Sequence, residues 1–430
     1  MSRLNILILH RMGDPISYRE SIYALEYMIP ECSADINCVV HDADLTLPEY
    51  LKEVEYHLIV LGPTFLCSRY HPRSLKKILR DYDFIRESNA CKVALPQDDY
   101  DCSSLLDDWM VRWRVDRLYT VCPDFWGVLY PNYQKFGEIK LGYTGYISDA
   151  WLKMWKDPKP HCARTIDISY RASRLSANFG SLGVLKSEIA DKFVNALPDN
   201  NLRLNISVDP KDMIPGKKWH EFMEDSRFCL TTASGSSLLD RRGEFRKSVE
   251  IFLLQNPGAD FDKTALHCFP GLDNEYVFTA ISPRNIEAAL AETVQIATPG
   301  SYSNLMHPFE HFIPLNENCS NIKDVLAMIT DEKLVDKIKL KCKEAILAEP
   351  RLRRTVIVNE ILQYTESVVA KRNIFGTDQA KVVKLFSRYQ QEIAIVSNYF
   401  WWRLRISRTL FSKLGGRYLK RWIYGAKIFF

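Results

Sequence analysis

Two cations and two glycines in the second half of the chain form a pattern that suits a diphosphate. Arg171 ends an apolar run that predicts a strand, and Lys186 lies in a predicted helix that follows Gly180-Ser-Leu-Gly183. Glycines let the backbone approach a ligand, a helix N-terminus offers N–H donors, and the two cations supply charge. The alternative interpretation is that the glycines mark a plain turn and the cations are surface charges.

Two loops rich in small and hydroxylated residues follow later predicted strands. In residues 231–237, small side chains leave room for a ligand against the backbone, and in residues 300–304 N–H groups cluster at a possible helix start. Loops of this composition are usually turns. The candidate contacts are Ser234 and Gly235 in the first loop, and Ser301, Tyr302 and Ser303 in the second.

A carboxylate lies in the first turns of a further predicted helix. In Ser282-Pro-Arg-Asn-Ile-Glu287, Pro283 suits the first helical turn, and Glu287 would face back toward the strand ends. A carboxylate there could accept hydrogen bonds from both hydroxyls of a ribose. The alternative is that Glu287 only complements the helix dipole.

The elements that position these residues follow from the apolar periodicity. Over residues 1–155, short apolar runs alternate with helical spacing, which predicts a Rossmann-like parallel sheet wound with helices. The candidate strands are residues 5–10, 37–41, 57–61, 92–95 and 118–122, and the candidate helices are 18–28, 48–54, 73–87 and 104–113. Prolines and alternating charge in residues 155–160 predict an interdomain linker.

A second alternating series predicts another Rossmann-like domain over residues 162–350. The candidate strands are residues 165–170, 202–206, 228–232, 293–297 and 312–315, and the helices are 183–196, 244–254, 284–292, 321–329 and 333–347. Linking helices are expected over residues 351–396, where a long helix at about 353–371 would cross back toward the first domain. The prediction is an α/β fold whose two Rossmann-like domains face across a cleft, with a ligand at the carboxyl ends of both sheets.

The composition fits this interpretation. The chain has 430 residues, 47% hydrophobic and 26% charged, which excludes disorder and supplies two cores. No segment reaches the roughly 18 apolar residues of a membrane-spanning helix, and no N-terminal targeting signal is recognised. Eleven cysteines without C-x-x-C spacing are interpreted as reduced thiols of a cytosolic protein, without zinc.

Motifs for other chemistries are missing at the predicted strand ends. The first strand is followed by a single glycine, Gly13, so the dinucleotide pattern G-x-G-x-x-G is not met. The nucleophile elbow and the P-loop are also absent from these positions. Nicotinamide, ordinary hydrolase and kinase functions are therefore disfavoured.

Five segments resemble, in order, the donor half of bacterial GT-B glycosyltransferases, in the family 1 and family 4-like branch of surface-polysaccharide synthesis. They are IDISYRASRL, GSLGVLKSEIADKF, CLTTASGSSLLD, ISPRNIEAALAETVQIATPGSYSN and HFIPLNENCSN. PQDDY at residues 96–100 is similar to the family's PQDEY, so the likeness covers about residues 90–345. The resemblance implies the GT-B fold and a nucleotide-diphosphate-sugar donor.

The resemblance also implies roles for the candidate residues. Arg171 and Lys186 would neutralise the leaving diphosphate, and Glu287 would hold the ribose. The other implied donor contacts are Gly180, Ser234, Gly235, Arg284, Ser301, Tyr302 and Ser303. His10 and Asp98, at the ends of the first and fourth predicted strands, would meet the acceptor, and either is chemically suitable as a general base. The alternatives are a hydrogen-bonded strand-end histidine and a loop start or helix cap.

Four positions depart from the family pattern. Thr279 stands where a second carboxylate of E-x7-E is expected, and the others are Ala172, Ala233 and Asn304. Two alternatives therefore stay open, a nucleotide-sugar epimerase or hydrolase of the same fold and a scaffold subunit whose site has decayed. Asp42-Ala-Asp44 matches the D-x-D of a different glycosyltransferase fold but follows the second strand, too early for that fold. We expect no cofactor and no divalent metal.

The last 34 residues differ from the rest of the chain in charge. Residues 397–430 contain eight Lys or Arg, ten aromatic residues and no Asp or Glu, while the preceding 396 residues carry a net charge of −4. On a helical wheel the cations lie opposite an apolar face, which predicts a basic amphipathic helix in a membrane interface. The predicted contacts are Arg417, Lys420, Arg421, Trp422 and Phe429. Nucleic acid, a protein partner and a further domain are the alternatives.

Together these features predict a glycosyltransferase, of the hexosyl or deoxyhexosyl class, that extends a lipid-linked or growing glycan. The expected setting is bacterial polysaccharide synthesis, such as lipopolysaccharide, O-antigen or capsule. The protein is expected in the cytoplasm, peripherally attached to the inner face of the cell membrane, without a nucleic-acid partner.

Overall fold

A parallel six-stranded sheet forms the first half of the protein. The structure, a computed structural model, describes residues 3–198 and 201–414, without the side chains of residues 17 and 407–414. The strands are β1 (Leu4–His10), β2 (Ile36–Asp42), β3 (Leu58–Leu61), β4 (Cys91–Ala94), β5 (Arg117–Thr120) and β6 (Glu138–Leu141). Their order is β2-β1-β3-β4-β5-β6. β3 and β4 are buried along their whole length because helices cover both faces of a parallel sheet.

Nine helices accompany the first sheet within the described residues. They are α1 (Glu20–Glu26), α2 (Met28–Cys32), α3 (Glu49–Lys52), α4 (Pro63–Leu66), α5 (Pro72–Asp81), α6 (Phe84–Glu87), α7 (Ser103–Arg112), α8 (Trp126–Leu129) and α9 (Asp149–Met154). The helix predicted over residues 73–87 is two helices, because Tyr82 leaves helical backbone and buries its ring, with its hydroxyl 2.9 Å from His41 Nε2. β6 was not predicted from the sequence.

The second half contains a five-stranded parallel sheet and a small antiparallel ribbon. The sheet strands are β7 (Ile166–Arg171), β8 (Leu204–Ser207), β9 (Ser226–Thr231), β12 (Val294–Ala297) and β13 (Ile313–Pro314), in the order β13-β12-β9-β7-β8. The ribbon pairs β10 (Ser234–Ser236) with β11 (Phe278–Ala280) and was not predicted.

Seven described helices pack around the second sheet. They are α10 (Gly180–Ala196), α11 (Lys217–Glu224), α12 (Glu244–Gln255), α13 (Phe261–Cys268), α14 (Pro283–Leu290), α15 (Ile322–Thr330) and α16 (Glu332–Ala348). α11 and α13 were not predicted. In each sheet the first strand lies between the second and the third, so both sheets have the same doubly wound topology. The strands are parallel, and the order in which they are added switches between β1 and β3 in the first sheet and between β7 and β9 in the second.

Two further helices pack against the first half of the protein. α17 (Arg354–Arg372) crosses back as predicted, and Arg372 Nη1 donates to Asp116 at 3.1 Å. α18 (Gln379–Leu414) begins beside Arg3 and reaches Asp14, so it runs alongside β1 and β2 from their amino to their carboxyl ends. Within the described ranges no helix is both long and apolar enough to cross a bilayer.

The two halves contact each other through buried apolar side chains. Trp151 and Trp155 belong to a buried cluster that contains side chains of both halves. In a second contact between the halves, Tyr100 stacks on Phe278 with ring centroids 5.6 Å apart. The prediction of two Rossmann-like domains that face across a cleft is confirmed, while residues 415–430 of the predicted basic tail lie outside the described residues.

Candidate functional site

A cavity of about 600 Å³ opens between the carboxyl ends of the two sheets. Loops after β7 and β9, the loop before α11 and the start of α14 form its second-sheet wall. The turn after β1 and the start of α1 form its first-sheet wall, which consists of Ile16, Tyr18, Arg19, Glu20 and Ser21. This is where a doubly wound sheet binds ligands, and the volume is that of a small-molecule site.

Lys186 contributes a cation to the second-sheet wall. It lies in α10, with Nζ 3.1 Å from Ser234 Oγ, and both residues line the cavity. Burial lowers the pKa of Lys186 to about 8, although the nearby charge of Asp98 opposes this shift. Lys186 is therefore mostly protonated at neutral pH, where it offers a partly desolvated positive charge to a ligand.

Arg171 and Arg284 line the same wall but are bonded differently. The Arg171 guanidinium donates to the carbonyl oxygens of Tyr170, Asn205 and Asp212 at 2.7 to 3.0 Å and to Asn205 Oδ1 at 2.5 Å. Most of its N–H groups are thus committed to the protein. Arg284 donates to the Arg171 carbonyl, and its Nε is buried without a hydrogen-bond partner among the described residues.

Glu287 is the buried acid of the cavity. It is 5% exposed, and Trp219 Nε1 donates to its Oε2 at 2.8 Å. Burial raises the pKa of Glu287 to about 7, while the Trp219 bond and the charge of Arg284 act in the opposite direction. At neutral pH, Glu287 is therefore present in both its protonated and its carboxylate form.

Glu20 is a carboxylate on the facing wall that the sequence analysis missed. It begins α1, is exposed, and lines the cavity. Burial lowers the pKa of His220 and the charge of Glu20 opposes that shift, while burial raises the pKa of Glu287 and the charge of Glu20 adds to that rise. A Cβ added to Gly216 would lie 3.9 Å from Glu20 Oε2. Glu20 therefore faces second-sheet residues across the cleft. In the sequence it looks like an ordinary acid at a helix start, which is why no signal singled it out.

Aromatic rings also line the cavity. Trp151, Trp219 and His220 belong to its wall, and the His220 ring lies edge-on to Trp151 and Trp155 with centroids 6.0 and 5.2 Å apart. Trp219 and His220 sit on α11, a helix that sequence periodicity did not reveal. Flat apolar faces beside polar groups suit the ring of a sugar or of a base.

The start of α10 does not line the cavity, contrary to the expected use of its N–H donors. Asp273 Oδ1 accepts from Ser181 N at 3.1 Å, and Ser237 Oγ accepts from Leu182 N at 3.1 Å. A side-chain carboxylate therefore occupies the position in which a phosphate was expected. Gly180 has φ +69°, and a Cβ there would come within 2.2 Å of Ser237 Oγ, so this glycine serves local packing.

The remaining loop residues also lie away from the cavity lining. A Cβ on Gly235 would lie 1.8 Å from the Phe278 carbonyl oxygen, so Gly235 permits the β10–β11 pairing. Ser301 Oγ lies 2.5 Å from Thr279 Oγ1, and Ser303 Oγ accepts from Ile281 N at 3.1 Å. Tyr302 is fully buried and donates to the Thr298 carbonyl.

The two predicted acceptor residues are not among the lining residues. His10 is 3% exposed beside Tyr27, and burial lowers its pKa to about 4, which makes it a weak base. Asp98 has a left-handed backbone, φ 51°, and its Oδ1 accepts from Tyr100 Oη at 2.6 Å. The cavity wall on this side is formed instead by residues of the turn and helix start that follow β1 in the sequence.

The predicted membrane contacts Arg417, Lys420, Arg421, Trp422 and Phe429 lie outside the described residues. In Asp42-Ala-Asp44, Asp44 Oδ1 accepts from Arg11 Nε at 2.8 Å. No cluster of three or more His, Cys, Asp or Glu side chains in the described part of the chain is placed to hold a metal. Independence from metals and cofactors stays a prediction.

No family model matches the sequence, and no curated protein matches it. Several solved structures show a weak likeness. One is the HepE protein of Anabaena in complex with UDP-glucose, with a TM-score of 0.45 and 12% identity over 85% of this chain and 100% of that chain. Another is the T4 phage β-glucosyltransferase in complex with UDP-glucose, with a TM-score of 0.44 and 12% identity over 84% of this chain and 99% of that chain.

A third is sucrose-phosphate synthase from Thermosynechococcus elongatus, with a TM-score of 0.45 and 12% identity over 86% of this chain and 100% of that chain. These TM-scores are below 0.5, so the likenesses carry no conclusion about activity. The two-domain fold rests on the sheet topology described above, and five of the predicted donor contacts line one cavity: Arg171, Lys186, Ser234, Arg284 and Glu287.

Proposed function

We propose that this protein is a glycosyltransferase that uses a nucleotide-diphosphate sugar as its donor. The observation that carries the proposal is the interdomain cavity with Arg171, Lys186 and Arg284 on its second-sheet wall and a carboxylate on each side. Three cations around one space suit a diphosphate better than a neutral ligand. Negative charge that develops on the leaving diphosphate would be stabilised there.

The second-sheet wall would hold the donor. Glu287, supported by Trp219, would accept hydrogen bonds from the ribose hydroxyls. Lys186 and Arg284 would face the diphosphate, while the charge of Arg171 acts through a guanidinium that is already fixed by backbone carbonyls. Fixed charges of this kind need no reorganisation when the reaction occurs.

On the first-sheet wall, Glu20 replaces His10 and Asp98 as the group that we assign to the acceptor. Its carboxylate would remove the proton of the acceptor hydroxyl while that oxygen bonds to the anomeric carbon. The bond from the anomeric carbon to the diphosphate breaks, and the nucleoside diphosphate leaves with the electron pair. This assignment describes an inverting transfer.

We extend the proposal to a hexosyl- or deoxyhexosyltransferase of bacterial polysaccharide synthesis, with a lipid-linked or growing glycan as acceptor. The charge of residues 397–430 supports attachment to the cytoplasmic face of a membrane, where such acceptors are found. Synthesis of lipopolysaccharide, O-antigen or capsule is the setting in which the sequence resemblance and this charge agree.

Donor binding is tested by a thermal-shift screen against UDP, GDP, dTDP and CMP sugars, followed by calorimetry with the best binder. Lys186→Met should weaken binding at least tenfold, because it removes a cation from the cavity. Lys192→Met is the matched control, since Lys192 lies on the same helix, is exposed, and pairs with Glu188. No binding by any nucleotide sugar, or equal effects of both substitutions, would remove the proposal.

Transfer is tested by mass spectrometry of the products with and without a glycan acceptor. A glycosyltransferase forms a longer glycan only when the acceptor is present. Consumption of the donor at the same rate without acceptor would instead indicate an epimerase or a hydrolase. Donor binding without any turnover would indicate a scaffold protein.

A further inference from the structure

Helix α18 is attached to the protein by one of its faces. Val382, Phe386 and Tyr389 are at most 5% exposed and belong to a buried cluster with side chains of the first half of the protein. Trp401 is 5% exposed and lies beside the Asp42 carboxylate. The Tyr389 hydroxyl lies 2.7 Å from His41 Nδ1. This inner face explains why the helix is docked along β1 and β2.

The outer face of α18 changes character along its length. Near its start the exposed residues on this face are Lys381, Lys384 and Arg388. From residue 395 the same face carries Ile395, Tyr399, Trp402 and Ile406, with exposed fractions of 74%, 62%, 56% and 38%. Their spacing of four, three and four residues keeps them within about 60° around the helix axis. We call these four residues the outer stripe.

The charge of the following chain indicates what covers the outer stripe. Residues 407–430 continue from it with six Lys or Arg and no acidic residue. A second copy of this chain that paired through the stripe would bring two such cationic segments together, which is unfavourable. An anionic lipid surface offers both an apolar layer for the stripe and counter-charges for the cations.

We propose that the outer stripe of α18 lies on an anionic membrane surface. The proposal deepens the proposed function, because it names the surface that meets the lipid, but the contact itself needs no transfer activity. It also places the lipid contact within the folded body of the protein, upstream of the predicted tail contacts at residues 417–429.

One ion pair connects this helix to the cavity. Arg405, beside the outer stripe, donates from Nε to Asp14 at 2.7 Å. Asp14 in turn accepts from Ile16 N at 3.2 Å and caps the short turn Pro15–Ser17. That turn begins the first-sheet wall, which contains Tyr18 and Glu20. A membrane-bound α18 therefore holds the first-sheet wall close to the bilayer, on the side from which a lipid-linked acceptor would arrive.

The proposal is tested by vesicle flotation of the full chain. Phosphatidylcholine vesicles with 30% phosphatidylglycerol are compared with phosphatidylcholine alone. The wild type should float only with the anionic vesicles, and the triple substitution I395S/Y399S/W402S should lower its partition coefficient at least tenfold. The control is L254S/L266S, since both leucines are exposed apolar residues on α12 and α13, away from the stripe.

Fluorescence quenching provides a second measurement, which does not require the triple variant to fold. Anionic vesicles with brominated acyl chains should quench Trp402, so Trp402→Phe should remove a quenched component of the emission. Trp401→Phe should leave that component unchanged, because Trp401 is 5% exposed and faces the protein.

Three results would overturn the proposal. The first is flotation of the triple variant equal to that of the wild type, and the second is equal quenching in the two tryptophan variants. The third is a wild-type dimer in sedimentation that the triple substitution converts to a monomer while flotation persists. Because none of these readouts needs a sugar donor, they are independent of whether the proposed transfer activity is correct.

Discussion

The two walls of the cavity differ in how firmly their side chains are held. On the second-sheet wall, the Arg171 guanidinium makes four hydrogen bonds to the protein, Lys186 is bonded to Ser234, and Glu287 is bonded to Trp219. On the first-sheet wall, Arg19 and Glu20 are exposed at the start of a helix. The side chains of the second-sheet wall are fixed before a ligand arrives, whereas the first-sheet wall begins with a short turn that Asp14 caps.

This difference suits a site that binds a constant group, the donor diphosphate, on one wall and a variable group, the acceptor, on the other. A fixed arrangement of charges favours a donor diphosphate because no reorganisation is needed on binding. A short turn and a helix start tolerate change, as loops that carry specificity generally do. We therefore expect substitutions on the second-sheet wall to affect donor binding and substitutions on the first-sheet wall to affect the transfer step.

The largest effect is expected for Glu20→Gln. If Glu20 is the general base, kcat should fall by roughly 10² to 10⁴, the usual contribution of such a group, with donor affinity unchanged. Steady-state kinetics with calorimetry of donor binding measures both quantities. Glu53→Gln, an exposed acid on the same half, is the control. A weakened donor Kd with an unaltered kcat would assign Glu20 to donor binding instead.

The pH dependence of donor binding tests the second-sheet wall. The pKa of Glu287 is raised to about 7 and that of Lys186 is lowered to about 8. Binding should weaken below about 7, as Glu287 gains a proton, and above about 8, as Lys186 loses one, by up to about tenfold per pH unit. Calorimetry from pH 5.5 to 9.5 with the intact nucleotide sugar measures this.

Two variants identify which side chain causes each limb of the pH profile of donor binding. Glu287→Gln should remove only the acid limb, and Lys186→Met only the alkaline limb. A profile that neither substitution alters would show that these two groups do not contact the donor.

Gly180→Ala tests whether the start of α10 is structural. The new Cβ would collide with Ser237 and Asp273, so the free energy of unfolding should fall by about 1 to 3 kcal/mol more than for Gly271→Ala. Gly271 has a similar φ of +72° and open space around it, so it reports the backbone strain alone. Chemical denaturation measures the difference, and donor affinity of the folded variant should match the wild type.

The smallest effect is expected for His10→Asn. His10 is buried away from the cavity, so kcat should change by less than about threefold, within what a remote substitution produces. Steady-state kinetics at pH 7 checks this. A loss as large as that of Glu20→Gln would return the general base to His10 and would contradict the description of the first-sheet wall.

The predicted residues divide according to how far they lie from a strand end. Arg171 ends β7 and Ser234 follows β9 closely, so the predicted strands brought both to one edge. Arg284 and Glu287 were found from the start of their helix, because β11 before it was not predicted. Glu20 was missed because it lies a turn beyond the end of β1, and Trp219 and His220 were missed because they lie on α11, a helix that was not predicted. Gly180 was assigned to a ligand, whereas Asp273, about ninety residues later in the chain, occupies the helix start.

The sequence by itself determined the two alternating series, and therefore the two parallel sheets, because buried strands and amphipathic helices leave periodic apolar patterns. It also determined the charge difference between the body and the tail. Only the tertiary structure decided which polar groups share a cavity, since contacts such as Glu20 with Gly216 or Arg405 with Asp14 join segments that no local pattern relates. The same packing decided which face of α18 is left uncovered.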